Sequence, residues 1–448
     1  MWEYPLWEVP RLGGGMVVAF IATTHVLLAH FSVGAGIILP FAERRARRAD
    51  HQALLLFLKR FSKAILIVGF IFGAVTGVGI WFSISIVATR ATSMLIHNFV
   101  WFWAIEWVFF LVEIIAGYAY YATWDRIAPR RHVQLAWVYA VSAWFSLFVI
   151  SGILAFMLSP GKWLETGNIW HAFFNPTFWP TVALRTVSSL ALGALAGMVI
   201  VNLYRRDSRE DKTQVINYLA RFLWPMVLML PFAFWYFEDI PVEARNLLAG
   251  GAAAMSLFFL FGIAASTLVG AYAYFGLIRA KRYINLETAM LLLSIAVIAT
   301  VSMEFVREGI RKPYILHGRL YSNGLAPEEV EKADTEGVLA RAPWARLRLD
   351  QGGPAAPSLG GALYAVQCAG CHVEKGFNDV APLVRGWSRE LLEFNLERLH
   401  ELKPFMPPVV GTAEEREALA DYLWALIEPS EKAAREDGLA ANESGSRS

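Results

Sequence analysis

The chain has 448 residues, of which 56% are hydrophobic and 17% charged, and its formal net charge is +2. A water-soluble domain carries more charge on its surface, and a nucleic-acid-binding protein carries a basic excess, so neither class fits. The composition predicts an all-α polytopic membrane protein whose first partner is the lipid bilayer, with no nucleic acid among its partners.

Eight apolar stretches are each long enough to cross the roughly 30 Å hydrocarbon core of a bilayer at about 1.5 Å per helical residue. The residues before the first stretch, "MWEYPLWEVPRLGGG", lack the basic region of a cleaved signal peptide, so we expect the first span to be retained. Pro225 and Pro231 interrupt the sixth stretch. The predicted spans lie near residues 14–40, 64–88, 98–121, 133–158, 181–204, 220–238, 247–277 and 284–307.

The loops between the predicted spans alternate in charge. Basic loops follow spans one, three, five and seven, as in "ERRARRADHQ" and "YRRDSREDK", whereas "GKWLETGNIWH" and "FEDIPVEARN" are acidic or neutral. By the positive-inside rule the basic loops face the cytoplasm. In a bacterial cytoplasmic membrane, eight spans then put both chain termini on the outer, periplasmic side.

The stretch "QCAGCHVEKG", residues 367–376, holds both cysteines of the chain, Cys368 and Cys371. Cys-x-x-Cys-His is the attachment motif of c-type haem, in which each cysteine forms a thioether to the haem and the histidine, here His372, ligates the iron. Met406, in the proline-bounded loop "KPFMPPVVG", is the candidate second ligand, because a thioether ligand raises the reduction potential.

Two other interpretations of the cysteine motif are weaker. A redox Cys-x-x-Cys needs a surrounding βαβ pattern, and a zinc site needs a further soft ligand, for which only His400 is near. We therefore predict one covalent haem c, which transfers single electrons. The surrounding segment resembles a class I cytochrome c, with the motif on an early helix, a methionine loop and a closing helix.

The chain thus divides into four predicted parts. Residues 1–308 form the membrane domain, and residues 309–355, charged and broken by Gly and Pro, form a linker. Residues 356–428 regain helical periodicity and form a small α-helical cytochrome c domain. Residues 429–448 are a predicted disordered tail.

Charged side chains inside a bilayer are costly, so each one is a candidate functional residue. Glu106 and Glu113 lie seven residues apart on one face of span three, where they can ligate iron, relay protons or pair with cations on neighbouring helices. In span one, His25 is the candidate haem ligand, with a hydrogen-bonded core histidine as the alternative; a core role is favoured for His30. Span eight ends in a charge cluster, for which an exposed helix end is the alternative: Glu304, Arg307, Glu308 and Arg311.

Several stretches of the membrane domain resemble subunit I of the cytochrome bd oxidases. "PRLGGG…THVLLAHFSVG" is similar to its first helix, "AIEWVFFLVE…WDR" to its third, and "EGIRKPY" to a Glu-x-Gly-Arg-Gln-Pro-Trp motif. The resemblance implies an oxygen-reducing di-haem site with haem b, haem d or both, and a second, homologous membrane subunit. It implies that the following residues belong to that site: His25, Glu106, Glu113, Glu308 and Arg311, with Glu304 as second choice for Glu308.

The sequence departs from this family pattern at four places. Glu106 and Glu113 are one residue closer together, and Arg185 stands where the family has the histidine ligand of a low-spin haem b, although arginine has no lone pair to give to iron. For the partner methionine of that haem only Met255 is available, with plain packing as the alternative. The outer loop between spans six and seven, which forms the family's quinol site, is reduced to about "EDIPVEARN", and the cytochrome c domain replaces a ninth span.

The features that this sequence lacks are the quinol loop and the histidine ligand of the low-spin haem b, and the resemblance implies that electrons enter through both. We therefore expect the fused haem c to replace the low-spin haem as donor to the membrane haems, with a cytochrome c rather than quinol supplying electrons for reduction of O₂ or a similar small ligand. Two alternatives stay open: a quinol–cytochrome c electron-transfer module without oxidase activity, with His171 as a substitute ligand, and a membrane anchor that has lost its haems. Arg185 is expected to bind a haem propionate or a glutamate, or to snorkel to the surface.

Overall fold

A computed structural model describes residues 2–204, 207–352 and 356–427, and the predicted tail at 429–448 lies outside them. The described residues are mostly helical and include eight helices that are long and apolar enough to cross a membrane. The predicted all-α membrane bundle and the number of its spans are therefore confirmed. Spans one to eight are Gly14–Arg48, Gln52–Val87, Thr89–Ala122, Pro129–Phe156, Phe178–Leu203, Arg209–Asp239, Ala253–Arg279 and Leu286–Gly309.

Spans two, three, six and seven depart from regular α-helix, and span three is kinked at Phe99. In span two a π-helical segment, Ile65–Phe72, separates the α-helices Gln52–Ala64 and Gly73–Val87. In span six a 3₁₀ segment, Ala220–Leu228, separates the α-helices Arg209–Leu219 and Met229–Asp239. This segment contains Pro225, which has no N–H to give to the helix, so the predicted interruption is present. Span seven is α-helical over Ala253–Tyr272 and π-helical over Ala273–Arg279.

The chain folds as two compact units, of which the first, called here the membrane unit, comprises residues 21–80 and 95–311. Its spans one and five approach so closely that their backbones touch. A Cβ added to Gly34 would run into the backbone carbonyl of Ser189, and one added to Gly193 would lie 2.6 Å from the Ala35 nitrogen. Glycine permits this approach, which is how membrane helices gain packing contacts that lipid cannot offer.

Short helices connect some of the spans of the membrane unit. They are Trp163–Thr166 and Ile169–Phe173 between spans four and five, and Val242–Asn246 with the π-helical Leu247–Gly251 between spans six and seven.

The second unit, called here the C-terminal unit, comprises residues 1–20, 81–94 and 312–448, as far as they are described. Its two strands, β1 (Tyr314–Leu316) and β2 (Leu320–Tyr321), pair antiparallel. Its α-helices are Val330–Glu336, Pro343–Asp350, Leu359–Gln367, Val380–Leu383, Arg389–Glu397, Leu399–Leu402 and a closing helix at 413–427, and its 3₁₀ turns are Pro327–Glu329 and Leu339–Arg341.

The stretch 309–355 differs from the predicted linker, because strands and helices occupy much of it and share one core with the helices that follow. Ala333 and Val338 from this stretch are fully buried with Leu363 of the helix Leu359–Gln367, called here the motif helix because it leads into the Cys-x-x-Cys-His motif. The buried carboxylate of Glu415, on the closing helix, accepts hydrogen bonds from the backbone nitrogens of Val338 at 2.7 Å and Leu339 at 3.1 Å. Residues 312–352 are therefore part of the folded C-terminal unit.

Candidate haem sites

The Cys-x-x-Cys-His motif begins where the helix Leu359–Gln367 ends. Cys368 is half-buried and Cys371 exposed, and both are free thiols. His372 is buried, with 7% of its surface exposed. The motif therefore exposes Cys371 and buries the His372 imidazole, with Cys368 partly covered between them.

Hydrogen bonds fix the orientation of His372. Its Nδ1 lies 3.0 Å from the backbone oxygen of Asn378, an acceptor, so Nδ1 carries the proton and Nε2 keeps its lone pair. The Asn378 side-chain amide donates to the Cys371 carbonyl at 2.8 Å, and the Tyr364 hydroxyl donates to the His372 carbonyl at 3.2 Å. A neutral imidazole with a free Nε2 is the form that ligates iron, so the motif fits a covalent haem c.

Burial sets the protonation of the two buried groups of the motif. It raises the pKa of the Cys368 thiol to about 12, helped by the neighbouring Cys371. It lowers the pKa of His372, against the opposing effect of the Asn378 carbonyl. The thiol and the imidazole are therefore both neutral near pH 7.

The loop that carries Met406 is tied to the motif helix. Gln367, next to Cys368, donates from Nε2 to the Val410 carbonyl at 3.0 Å and accepts from the Val410 nitrogen at 2.9 Å. Met406 itself is half-buried. His400, the remaining candidate for a zinc site, is exposed, and the described residues include no cluster of three or more metal-binding side chains.

His25, in span one, contacts span two through one ring nitrogen. Its Nδ1 lies 3.1 Å from the Gly73 carbonyl and 3.0 Å from the Thr76 hydroxyl. A Cβ added to Gly77 would lie 3.2 Å from the His25 ring, so a glycine at this position leaves room for the imidazole. As in His372, one nitrogen is held by the protein and Nε2 is available as a ligand, which fits the predicted role.

The two glutamates of span three face span four. Ser146 donates a hydrogen bond to Glu106 at 2.8 Å. Glu113 is buried, with 7% exposed, and lies within reach of the Tyr139 hydroxyl, which also donates to the Ser32 carbonyl at 3.0 Å. Their partners are hydroxyl groups, so these carboxylates are placed beside groups that can pass protons, although the predicted catalytic role stays a prediction.

Arg185 is buried and pairs with a glutamate. Its Nη2 lies 3.4 Å from Glu304, and the Arg307 Nε donates to the same carboxylate at 2.9 Å. Arg185 was expected to bind a haem propionate, to pair with a glutamate or to reach the surface, and in the structure it pairs with a glutamate. Glu304 thus lies between two arginines contributed by spans five and eight.

Glu308, the first choice for a haem ligand in span eight, has half of its side chain exposed and pairs with Arg307 and Arg311. Arg311 is buried and its Nη1 lies 3.1 Å from the Met157 sulfur. Met255 packs in an apolar cluster with Leu158 and Val306, which corresponds to the packing role given above as the alternative to haem ligation. His171 is exposed and bonded to the Thr166 hydroxyl at 2.9 Å.

His30 is the residue whose placement the sequence indicated least. It is buried, with 3% exposed, and its Nδ1 lies 2.7 Å from the Val26 carbonyl one turn earlier. Its ring lines a large cavity together with Arg185 and Glu304. The only signal in the sequence was an ionisable residue in an apolar span.

Comparison with known proteins identifies a family and a similar fold. The family model described as cytochrome bd terminal oxidase subunit I matches residues 15–239. Among solved structures, the bd oxidase from Geobacillus thermodenitrificans is similar in fold, with a TM-score of 0.56 and 18% sequence identity over 68% of this chain and 88% of that chain. No curated protein matches the sequence.

Proposed function

The chain belongs to the cytochrome bd terminal oxidase subunit I family, and from this premise we propose that a covalent haem c on the C-terminal unit is its electron inlet. Family membership and eight membrane spans support a terminal-oxidase-like function in a cytoplasmic membrane. The proposal adds to this function the donor side of the reaction: a cytochrome c gives electrons to the chain, and O₂ or a similar small ligand accepts them.

The observation that carries the proposal is the ion pair between Arg185 and Glu304. By resemblance, Arg185 occupies the place of the histidine that ligates the low-spin haem b, the usual entry point for electrons from quinol. An arginine cannot ligate iron, and this one is engaged with a carboxylate. Electrons therefore need another entry, and the C-terminal unit offers one.

Four residues of the C-terminal unit would hold the haem c. Cys368 and Cys371 would form the thioethers, and His372, through Nε2, and Met406 would ligate the iron. Asn378 supports this role, because its carbonyl holds Nδ1 of His372. When bound, haem c supplies a one-electron carrier without an open iron position for substrate.

In the membrane unit, His25 and Glu308 are the proposed haem ligands, with Arg311 beside them and Glu304 as second choice for Glu308. The haems, b-type, d-type or both, would supply an iron with an open position for a small ligand. Glu106 and Glu113 would hold and pass protons, with Ser146 and Tyr139 as their hydroxyl partners.

We further propose that both termini lie on the outer side of the membrane, from the distribution of basic loops. Covalent haem attachment in bacteria takes place on that side. A second membrane subunit homologous to the family's subunit II is the expected partner.

Reduced-minus-oxidised and CO-difference spectra of the purified protein test the proposal. We expect a c-type band together with a CO-reactive haem. Replacing both Cys368 and Cys371 by Ala should remove the covalent haem and the c-type band, whereas His25→Ala should remove the CO signal and keep the c-type band. His400→Ala, which changes an exposed histidine of the same unit, is the matched control and should alter neither signal.

Turnover tests the electron donor. Oxygen consumption should be supported by reduced cytochrome c and lost in the double cysteine variant, with quinol as a poor donor. If the protein contains haem c but no CO-reactive haem, and passes electrons from quinol to cytochrome c, it is an electron-transfer module and the oxidase proposal is wrong.

A further inference from the structure

The N-terminal segment at residues 6–13, called here the N-terminal strap, lies against the Cys-x-x-Cys-His motif. Leu6 contacts the motif between its two cysteines, since a Cβ added to Gly370 would lie 3.1 Å from the Leu6 Cδ1. At the other end of the strap, a Cβ added to Gly13 would lie 2.9 Å from the side chain of Val373, directly after the motif. Two distant parts of the chain thus meet at the motif within the C-terminal unit.

The closest contact joins Arg11 of the strap to the loop that follows His372. The Phe377 nitrogen donates to the Arg11 carbonyl at 2.6 Å. A Cβ added to the preceding residue, Gly376, would run into the same carbonyl. Gly376 does not adopt the left-handed conformation that favours glycine. Its missing side chain therefore serves the contact with the strap and not a turn of its own backbone.

Strained backbone conformations gather at this contact. Of the six non-glycine residues with a positive φ in the described part of the chain, three meet here: Arg11 at 63°, Lys375 at 54° and Asn378 at 57°. This conformation is costly for lysine and arginine and persists only where the surroundings hold it. In the strap, a hydrogen bond from the Gly13 nitrogen to the Val9 carbonyl, at 2.8 Å, holds the turn. Strain of this kind gathers at functional sites, which indicates that the contact serves more than packing.

The strap is fixed at both ends. Before it, the buried Trp2 donates from Nε1 to the Asn323 carbonyl at 2.7 Å, in the core of the C-terminal unit. Within it, the Trp7 nitrogen donates to the Ile86 carbonyl at 3.1 Å. After it, span one begins directly. The Arg11 carbonyl therefore has a set position from which it can hold the loop.

We propose that the N-terminal strap positions the iron ligand of the haem c site, with Arg11 and Gly376 as positioning residues. The Arg11 carbonyl holds Phe377, and the carbonyl of the next residue, Asn378, accepts the Nδ1 proton of His372. In this way the strap sets the direction in which the imidazole presents Nε2. The inference rests on the proposed attachment of haem to this motif.

The strap thereby acts on the reduction potential of haem c. A hydrogen bond from Nδ1 to a carbonyl makes a ligating imidazole a stronger electron donor, which favours ferric iron and lowers the potential. When the loop moves away from the strap, this hydrogen bond weakens and the potential rises. A segment that contributed only to stability would change the unfolding midpoint and leave the potential as it is.

The test compares Gly376→Ala with the parent in the full chain, purified with its covalent haem. By hydrogen–deuterium exchange we expect the Phe377 amide to exchange about tenfold faster, which corresponds to about 1.4 kcal/mol for the weakened hydrogen bond. By spectroelectrochemical titration we expect the midpoint potential of haem c to rise. Gly15→Ala is the control, because an added Cβ there meets its nearest listed neighbour, the Gly370 carbonyl, at 3.9 Å. It should match the parent in both measurements.

A second variant keeps the test decisive if Gly376→Ala does not fold. Gly13→Ala disturbs the same contact from the strap, because its added Cβ would press on the Val373 side chain and its φ of +80° disfavours alanine. The Val373 side chain can give way, so we expect smaller changes in the same directions.

The outcomes separate this proposal from the proposed electron inlet. In a protein that carries haem c, an unchanged exchange rate or an unchanged potential overturns the role of the strap alone. A fall in potential would show that the strap excludes water from the haem instead of orienting His372, and would overturn the positioning role as well. A parent without a c-type band would refute the electron inlet, and with it any action of the strap on a haem.

Discussion

The C-terminal unit builds its candidate site from neighbours in sequence, whereas the membrane unit builds its polar clusters from distant parts of the chain. Cys368, Cys371, His372 and Asn378 lie within one short stretch and bond to one another. Arg185 and Glu304, by contrast, are 119 residues apart on different spans. Lipid offers a buried polar group no partner, so a charge in a membrane helix must find one on another helix.

The two units also satisfy their buried carboxylates differently. Glu415 in the C-terminal unit accepts from backbone nitrogens, among them those of Val338 and Thr412 at 2.7 and 3.2 Å. Glu304 in the membrane unit is held by the side chains of Arg185 and Arg307. Loss of the Glu415 carboxylate leaves unpaired backbone dipoles, whereas loss of the Glu304 carboxylate leaves the charge of Arg185 unpaired, so the two losses should differ in size.

The largest expected effect is on helix packing in the membrane unit. Gly34→Val places side-chain atoms where the Ser189 carbonyl of span five lies, so spans one and five cannot keep their contact. We expect almost no folded protein, measured as the monodisperse fraction in size-exclusion chromatography after detergent extraction. Gly73→Val is the control, because the nearest atom to an added Cβ there is 3.9 Å away. A normal yield of the Gly34 variant would contradict the close contact.

Removing the carboxylate of the membrane unit should come next. Glu304→Gln leaves the buried Arg185 without a carboxylate, at a cost of about 3–5 kcal/mol for a broken buried pair, whereas the half-buried Arg307 keeps Glu308. Arg185→Gln should cost less, because Glu304 keeps Arg307. We expect the thermal denaturation midpoint in detergent to be highest for the parent, lower for Arg185→Gln and lowest for Glu304→Gln. Equal midpoints for the two variants would mean that the pairing with Arg185 and Arg307 is not what holds Glu304.

In the C-terminal unit, Glu415→Gln should be milder, at about 2 kcal/mol, because an amide nitrogen cannot accept the backbone hydrogen bonds that Oε2 accepts. Denaturant unfolding of the full chain, followed through its tryptophan fluorescence, measures the change. Glu417→Gln on the same helix removes an exposed carboxylate paired with Arg389 and should cost less than about 0.5 kcal/mol. If both variants unfold alike, Glu415 is not a structural acceptor.

The smallest expected effect is a pH dependence of the C-terminal unit. Burial works to raise the pKa of Glu329, but hydrogen bonds from Arg90 and the Ala326 nitrogen prevail and lower it below its usual 4.5. A carboxyl group with a lowered pKa contributes stability above its unfolded value, and this contribution is lost as the pH falls through the folded value. The free energy of unfolding, measured at pH 7 and at about pH 3.5, should therefore fall less with pH in Arg90→Gln than in the parent. An identical loss in both would exclude the ion pair as its source.

Hydropathy predicted the eight spans, because lipid imposes length and apolarity on any helix that crosses it. The Cys-x-x-Cys-His motif is visible in the sequence for a similar reason, since covalent haem attachment, which stays a prediction, demands fixed residue types at fixed spacing. The cost of polar groups in the membrane singled out His25 and the glutamates of span three, whose roles also stay predictions. These arguments concern single segments, which a sequence displays directly.

What the sequence did not predict depends on contacts between segments. His30 was expected to be a core residue, and its bond to Val26 is local, but the cavity beside it exists only once five spans pack. The helices within 309–355 were missed because their Gly and Pro residues were interpreted as a linker, whereas Gly337, at φ +88°, ends a helix. The partner of Arg185 was likewise set by packing.

The π-helical segment Ile65–Phe72 in span two sets which residues of that span contact His25. A π-helical turn takes up one residue more than an α-helical turn, whereas an extra residue in a regular α-helix rotates everything downstream by about 100° around the helix axis. Gly73, Thr76 and Gly77, which contact His25, all follow the segment. The same residues wound as a regular α-helix would turn this contact face away from span one. The winding of the segment is therefore as much a determinant of the His25 contacts as any side chain in it.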